Sequence, residues 1–188
     1  MGLFEHRSGD RVMVFLDVRN ILGGVSEHLD FTRVDFVGMV KGVCDHRNLV
    51  AAYAFDGRYK VDGEDRSVRF HEYLSRQGFR VVTRDLGDPD EGAQREVDVE
   101  LGCTMVRAAL QDQYDVAVLL SGDRDFIPAV EMVQESGKRV EVASIGRCLS
   151  SDLGRLADDV HHLDYLPFLI MRNPEDDGDD EVAEEAEA

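Results

Sequence analysis

Asp123 and Asp125 stand two residues apart in "VLLSGDRDFIPAV" (118–130), behind an apolar run and ahead of a helix-like stretch. One carboxylate at such a junction can cap the helix by accepting from its exposed N–H groups. Pro128 suits the first turn of that helix. A second acid, with Ser121 and Gly122 just before the pair, asks for another reason. Asp17 closes a different apolar run, "RVMVFLD", and Asn20 follows three residues later. Asp98 opens the helical run that leads into the segment before Asp123. Singly, Asp17 could close a turn and Asp98 could favour a helix start through the dipole. Brought together, these carboxylates would repel one another unless they shared a hard cation. Mg²⁺ and Mn²⁺ take oxygen ligands and keep several waters. A cation so held polarises a phosphoryl oxygen and acidifies a bound water, which is the chemistry of phosphodiester hydrolysis.

The elements that must position these residues alternate along the chain. Apolar strand-like runs fall at 11–18, 49–55, 79–85, 115–120 and 138–144. Helical spacing fits 32–46, 66–77, 97–110, 125–136 and 151–157, with Gly78 and Gly137 as natural stops. Residues 87–96 read as a polar loop, Gly23-Gly24 as a turn, 160–163 as a short edge strand and 165–171 as a last turn. Strand, helix, strand with short connections implies parallel βαβ units with right-handed crossovers. The expected fold is α/β, a three-layer sandwich with a mainly parallel five- or six-stranded sheet. In such sheets, ligands sit at the carboxyl ends of strands where strand order reverses. A 3-2-1-4-5 order would bring Asp17 and Asp123 to that point.

Composition sets the remaining bounds. The 188 residues suit one domain, expected over 1–172, and a tail over 173–188, "NPEDDGDDEVAEEAEA", with nine acids and no base. That tail has too little apolar surface to order itself. The net charge is -18, with three lysines among 21 basic residues. Acidic, lysine-poor chains suit a salt-rich cytoplasm, and a GC-rich genome would also favour arginine. Cys44, Cys103 and Cys148 are too few and too scattered for a disulfide framework or a zinc cluster, which points to a reducing, cytoplasmic setting. No apolar run is long enough to span a membrane, and no secretory signal is visible. A homodimer is left open.

"VMVFLDVRN", "REVDVELGCTMVRAAL" and "YDVAVLLSGDRDFIPAVEMVQESGKRVEV" resemble the NYN domain family, PIN-like nuclease relatives that include LabA-like proteins. The resemblance runs from about Val12 to Asp164, and the SGDxDF block is its most specific part. It implies a PIN-like topology and an Mg²⁺- or Mn²⁺-dependent ribonuclease site. By motif position, Asp17, Asp98, Asp123 and Asp125 are the implied metal-binding and catalytic carboxylates, with Asn20 and Ser121 lining the site. The chain departs from the family pattern at Thr104, where a second helix aspartate is usual, and in "QRE", where Arg95 alone could replace a lysine. Those departures favour an alternative, a non-catalytic nucleic-acid-binding or regulatory module. A Toprim-type site would instead want a glutamate where Asp17 stands.

RNA as partner needs local positive charge against an acidic whole. Arg19, Arg58 with Lys60, Arg84, Arg124 and Arg147 follow the five strands in turn, so each strand is expected to deliver a base to one rim. Arginine grips phosphates there through paired donors. Stacking partners are sparse: Phe55, Tyr59 and Phe126 fall near the rim, and Phe55 and Phe126 suit the core better. His161 and His162 suit packing or surface roles rather than ligation.

Overall fold

Strand β1 (Arg11–Asp17) has no polar side chain between its first and last residues. The computed structural model describes residues 9–28, 33–58, 60–61, 64–65, 67–85, 91–165 and 169–170. In it β1 is a central strand of a six-stranded sheet. The others are β2 (Asn48–Arg58), β3 (Arg80–Asp85), β4 (Val116–Leu120), β5 (Arg139–Ser144) and β6 (Asp159–His162). Their order is β3-β2-β1-β4-β5-β6, and every pairing is parallel. Strands buried on both faces must be apolar throughout rather than alternating. Accordingly Val12, Val14 and Leu16 join one core with Val118 and Leu120, while Met13 and Phe15 join a second with Ala117 and Leu119.

Helices α1 (Val18–His28), α2 (Phe36–Cys44) and α3 (Val68–Arg76) cover the first face. The second is covered by α4 (Glu91–Leu110), α5 (Ile127–Glu135) and α6 (Ser151–Leu156). The expected three-layer α/β sandwich is therefore present, with six parallel strands. Two short antiparallel pairs flank it, Arg33–Val34 with Leu169–Ile170 and Lys60–Val61 with Glu64–Asp65. No helix among the described residues is long and apolar enough to cross a membrane. Tyr59, the side chains of Lys60 and Arg95, and the tail from 173 onward lie outside the described residues.

Several boundaries differ from the sequence expectation. Arg33–Val34 pairs with Leu169–Ile170, so α2 starts at Phe36 rather than 32, and 165–171 contains a short strand rather than only a turn. Gly23 and Gly24 lie inside α1 rather than in a turn. Val18, Ile21 and Val25 bury one face of that helix, and this packing outweighs the roughly 1 kcal/mol each glycine costs. Gly24 is needed there, because a Cβ would come within 2.8 Å of the Cys148 sulfur. Helix α4 begins at Glu91, not Val97; its first turns are polar but, apart from Gly92, built from good helix formers. The helix expected from Asp125 is split into a 3₁₀ turn, Arg124–Phe126, and α5.

One buried ion pair ties the layers together. Arg47, after α2, sends two N–H groups to the Glu141 carboxylate on β5, at 2.6 and 2.8 Å. The same guanidinium donates to the Cys44 and Val43 carbonyls at the end of α2. His161 on β6 reaches Glu141 at 2.9 Å. Burial works against the Glu141 carboxylate, but His161 and Arg47 hold its pKa down at about 2. The contribution of Glu141 is therefore complete above about pH 4.5 and is lost as pH falls toward 2. Removing Arg47 leaves the buried Glu141 carboxylate with His161 as its remaining described partner: Arg47→Met should cost about 3–5 kcal/mol in urea unfolding at pH 7. Combining it with Glu141→Leu should recover much of that loss.

Candidate active site

The side chain of Asp17 leaves β1 on the same side as Met13 and Phe15, because alternate residues share a face. That is the face covered by α4, which carries Asp98. Leu16 pairs with Leu120, so the next residue on each strand, Asp17 and Ser121, emerge together. This is the point where the strand order reverses, with β1 leading outward one way and β4 the other.

Asp17 is 3% exposed, and its oxygens are both engaged. One accepts the Asn20 N–H at 3.2 Å, and the other accepts the Ser121 hydroxyl at 3.0 Å. Ser121 in turn accepts the Asp123 N–H at 3.2 Å, so a single hydroxyl links two acids. Burial pushes the Asp17 carboxyl up to about 7. The negative charges of Asp98 and Asp123 push the same way, and the hydrogen bonds from Asn20 and Ser121 resist. Asp98, from α4, and Asp123, from the loop after β4, are thus both within electrostatic reach of Asp17 on β1.

Asp125 plays a different part from the one its place before "FIPAV" suggests. Its own N–H donates to the Asp123 carboxylate at 2.9 Å, so Asp123 is the cap and Asp125 lies within the 3₁₀ turn. The Asp125 side chain is exposed, beside Asp123. Asn20 uses its side-chain oxygen to accept the Gly122 N–H at 2.9 Å. Its amide NH₂ remains as a donor. The Gly122 carbonyl accepts from Ser150 N–H at 2.9 Å, and a Cβ on Gly122 would stand 2.2 Å from the Cys148 carbonyl oxygen. The acidic loop is thereby clamped between α1 and the loop after β5.

Around this centre the expected basic rim is partly neutralised. Arg19 pairs with Asp56 at 3.5 Å, Arg58 with Asp85 at 2.7 Å, and Arg84 with Glu100. Arg124 and Arg147 are exposed. Phe55 and Phe126 are buried in the core and offer no face to a base. Thr104 is also buried, on the core side of α4, with Arg107 donating to its hydroxyl at 3.4 Å. The sequence did not signal Asp56 and His71, a buried pair joined at 2.8 Å. Asp56 lies at the end of β2, one residue past a strand-like run, which was the available clue.

Among the described residues no three Asp, Glu, His or Cys side chains form a ready metal cage. Carboxylate oxygens are nevertheless the donor type that a small hard cation takes. Mg²⁺ is commonly held by one or two carboxylates with waters and substrate oxygens completing its shell. A buried carboxylate facing two like charges is relieved by either a proton or a cation.

Two consequences are measurable. In metal-free buffer Asp17 keeps its proton in the fold between its ordinary value and about 7. Stability therefore falls as pH rises through that window and levels off above it. Asp17→Asn, with Ser121 turning to accept from the amide, should melt higher than the parent at pH 8 and by much less at pH 5. A difference independent of pH would mean Asp17 is ionised throughout. Gly122→Ala should cost about 1–3 kcal/mol in chemical unfolding, through overpacking against Cys148.

Comparison with known proteins places this architecture. No curated protein matches the chain. A solved structure, a protein of unknown function from Vibrio parahaemolyticus, superimposes with a TM-score of 0.73. It is 24% identical and covers 89% of this chain and all of its own; at that identity the likeness carries the fold alone. The NYN domain family model matches residues 11–164. That span takes in all six sheet strands and every carboxylate described above, and the chain belongs to the NYN domain family.

Proposed function

We propose that the protein is a divalent-metal-dependent ribonuclease whose centre is Asp17, Asp98 and Asp123, with Asp125 at its edge. The observation that carries this is the convergence of three acids from separate segments at the strand-order switch point. A fold has little to gain from such mutual repulsion unless a cation compensates it. Asp17, Asp98 and Asp123 would hold Mg²⁺ or Mn²⁺, and Asp125 would contribute through water. The ion supplies polarisation of the phosphoryl oxygen and a bound water of lowered pKa.

The remaining work falls to the chain itself. Ser121 fixes the orientation of Asp17 by donating to it and the position of Asp123 by accepting from its N–H. Asn20 holds the Gly122 backbone with its oxygen, leaving its NH₂ to donate to a non-bridging phosphate oxygen. Arg19, in the first turn of α1, is placed to grip a phosphate by exchanging its 3.5 Å contact with Asp56. Arg124 and Arg147, exposed on the loops after β4 and β5, extend that grip along the strand.

The second reading, a metal- or RNA-binding module without catalysis, is favoured by one feature. Thr104 is packed into the core side of α4 and supplies no further carboxylate. Labelled RNA incubated with the purified protein, with and without Mn²⁺, separates the two. Under the nuclease reading, cleavage requires the metal, and Asp17→Asn or Asp123→Asn lowers it at least about 100-fold, on the order of 2.7 kcal/mol in the barrier. Asp125→Asn should have a smaller effect. Metal-dependent RNA binding without cleavage would establish the second reading instead.

A further inference from the structure

We infer that the open groove between α3 and the edge strand β3 binds a phosphodiester of the polynucleotide, one that flanks the bond to be cut. The groove is lined by Arg58 at the end of β2, Val81 and Thr83 on β3, and Val68, His71, Glu72, Ser75 and Arg76 on α3. Five of the side chains can donate a hydrogen bond, Glu72 is the acid among them, and the two valines form an apolar part of the wall. Arg58 gives the most direct sign of a missing acceptor. Its Nε is buried without a hydrogen-bond partner, while its outer nitrogen pairs with exposed Asp85. A buried N–H left unmatched is unfavourable, and an anion entering the groove would satisfy it. Arg76 is paired with Glu72 at 3.0 Å, both well exposed. Such a pair contributes little and exchanges readily for a phosphate.

The openness of the groove selects the ligand. Small molecules favour enclosed pockets that take them out of water. A phosphate carried on a polymer is held in part by its neighbours' contacts, so a shallow donor-lined channel suffices. A chain of side-chain contacts leads from the groove toward the carboxylates. Buried Asp56 contacts His71 at 2.8 Å on the groove side and Arg19 at 3.5 Å on the other. Arg19 is two residues from Asp17, so both features lie at the carboxyl end of the sheet.

That the polymer is RNA rests on the nuclease reading, and the test separates the two ideas. Binding of a fluorescent RNA of about 12 nucleotides to the full chain is followed by anisotropy in EDTA, over a range of salt. Arg58→Gln and Arg76→Gln should each weaken binding by about 3- to 10-fold and reduce the salt slope by about 1. Glu72→Gln, which frees Arg76, should tighten it. Arg107→Gln, on the opposite layer, should leave it unchanged and controls for the loss of one positive charge. Inorganic phosphate should compete poorly with the oligonucleotide. Parent-like affinity in both arginine variants overturns the assignment, as does equal displacement by free phosphate. Cleavage on adding Mn²⁺ is scored separately. A parent that binds through these arginines but never cuts refutes the nuclease reading alone. A parent that cuts while both variants bind normally refutes the groove alone.

Discussion

The site depends on keeping one carboxylate, Asp17, out of water at the seam between β1 and β4. A buried acid must have its oxygens matched, or the fold will not tolerate it. Here the matching groups come from either side of the seam, Asn20 from the chain just after β1 and Ser121 from just after β4. The pairing register of the two strands is therefore also the register of the chemistry. A slip of one residue would turn Asp17 toward the other layer and put a valine or leucine in its place. The long apolar runs of both strands, buried on both faces, make such a slip costly.

Around Asp17 the bracing is done by backbone and small residues. Gly122 lets the acidic loop lie against the Cys148 carbonyl, and Gly24 lets α1 lie against the Cys148 side chain. Asn20 and Ser150 take up the two polar groups of Gly122. Three segments distant in sequence are thus locked by contacts too close for a side chain to intervene. Such rigidity is what keeps neighbouring acids in place against their repulsion, and it leaves the exposed Asp125 outside the tightly held set. On the opposite side of β5, Arg47 and Glu141 hold α2 to the sheet in the same spirit, one buried charge matched by another.

Much of this was legible in the sequence, because it follows from local pattern. The doubly buried strands announce themselves as unbroken apolar runs, and Asp17 and Asp123 stand where those runs end. Glycine stops marked the ends of α3 and α5, where Gly78 and Gly137 take positive φ. What could not be read came from contacts across many residues. Gly23-Gly24 looked like a turn because the reason for Gly24 is its packing on Cys148 and Ile145, far along the chain. Asn20 read only as a residue lining the site, because its partner, Gly122, lies 102 residues away. Which of Asp123 and Asp125 caps the helix stayed open, because the 3₁₀ turn that puts Asp123 outside and Asp125 inside has no sequence signature. The pairing of Asp56 with His71 across β2 and α3 had no periodic signature at all. The arginines followed the strands as expected, but nothing local showed that Arg58 and Arg84 would find acids nearby.

The strand order has a consequence for how the chain is made. The first part, β3-β2-β1, can assemble as the chain emerges, while β4 waits until residue 116. Until then β1 is an edge: an apolar strand with one row of backbone donors and acceptors unpaired. Such an edge is a template for association with other chains. The nascent protein therefore carries an aggregation hazard at the seam where its acids later meet, and closing that seam removes the hazard and assembles the acids in one event. No half-made chain can bring Asp123 to Asp17, so the acidic site is withheld until the sheet is whole.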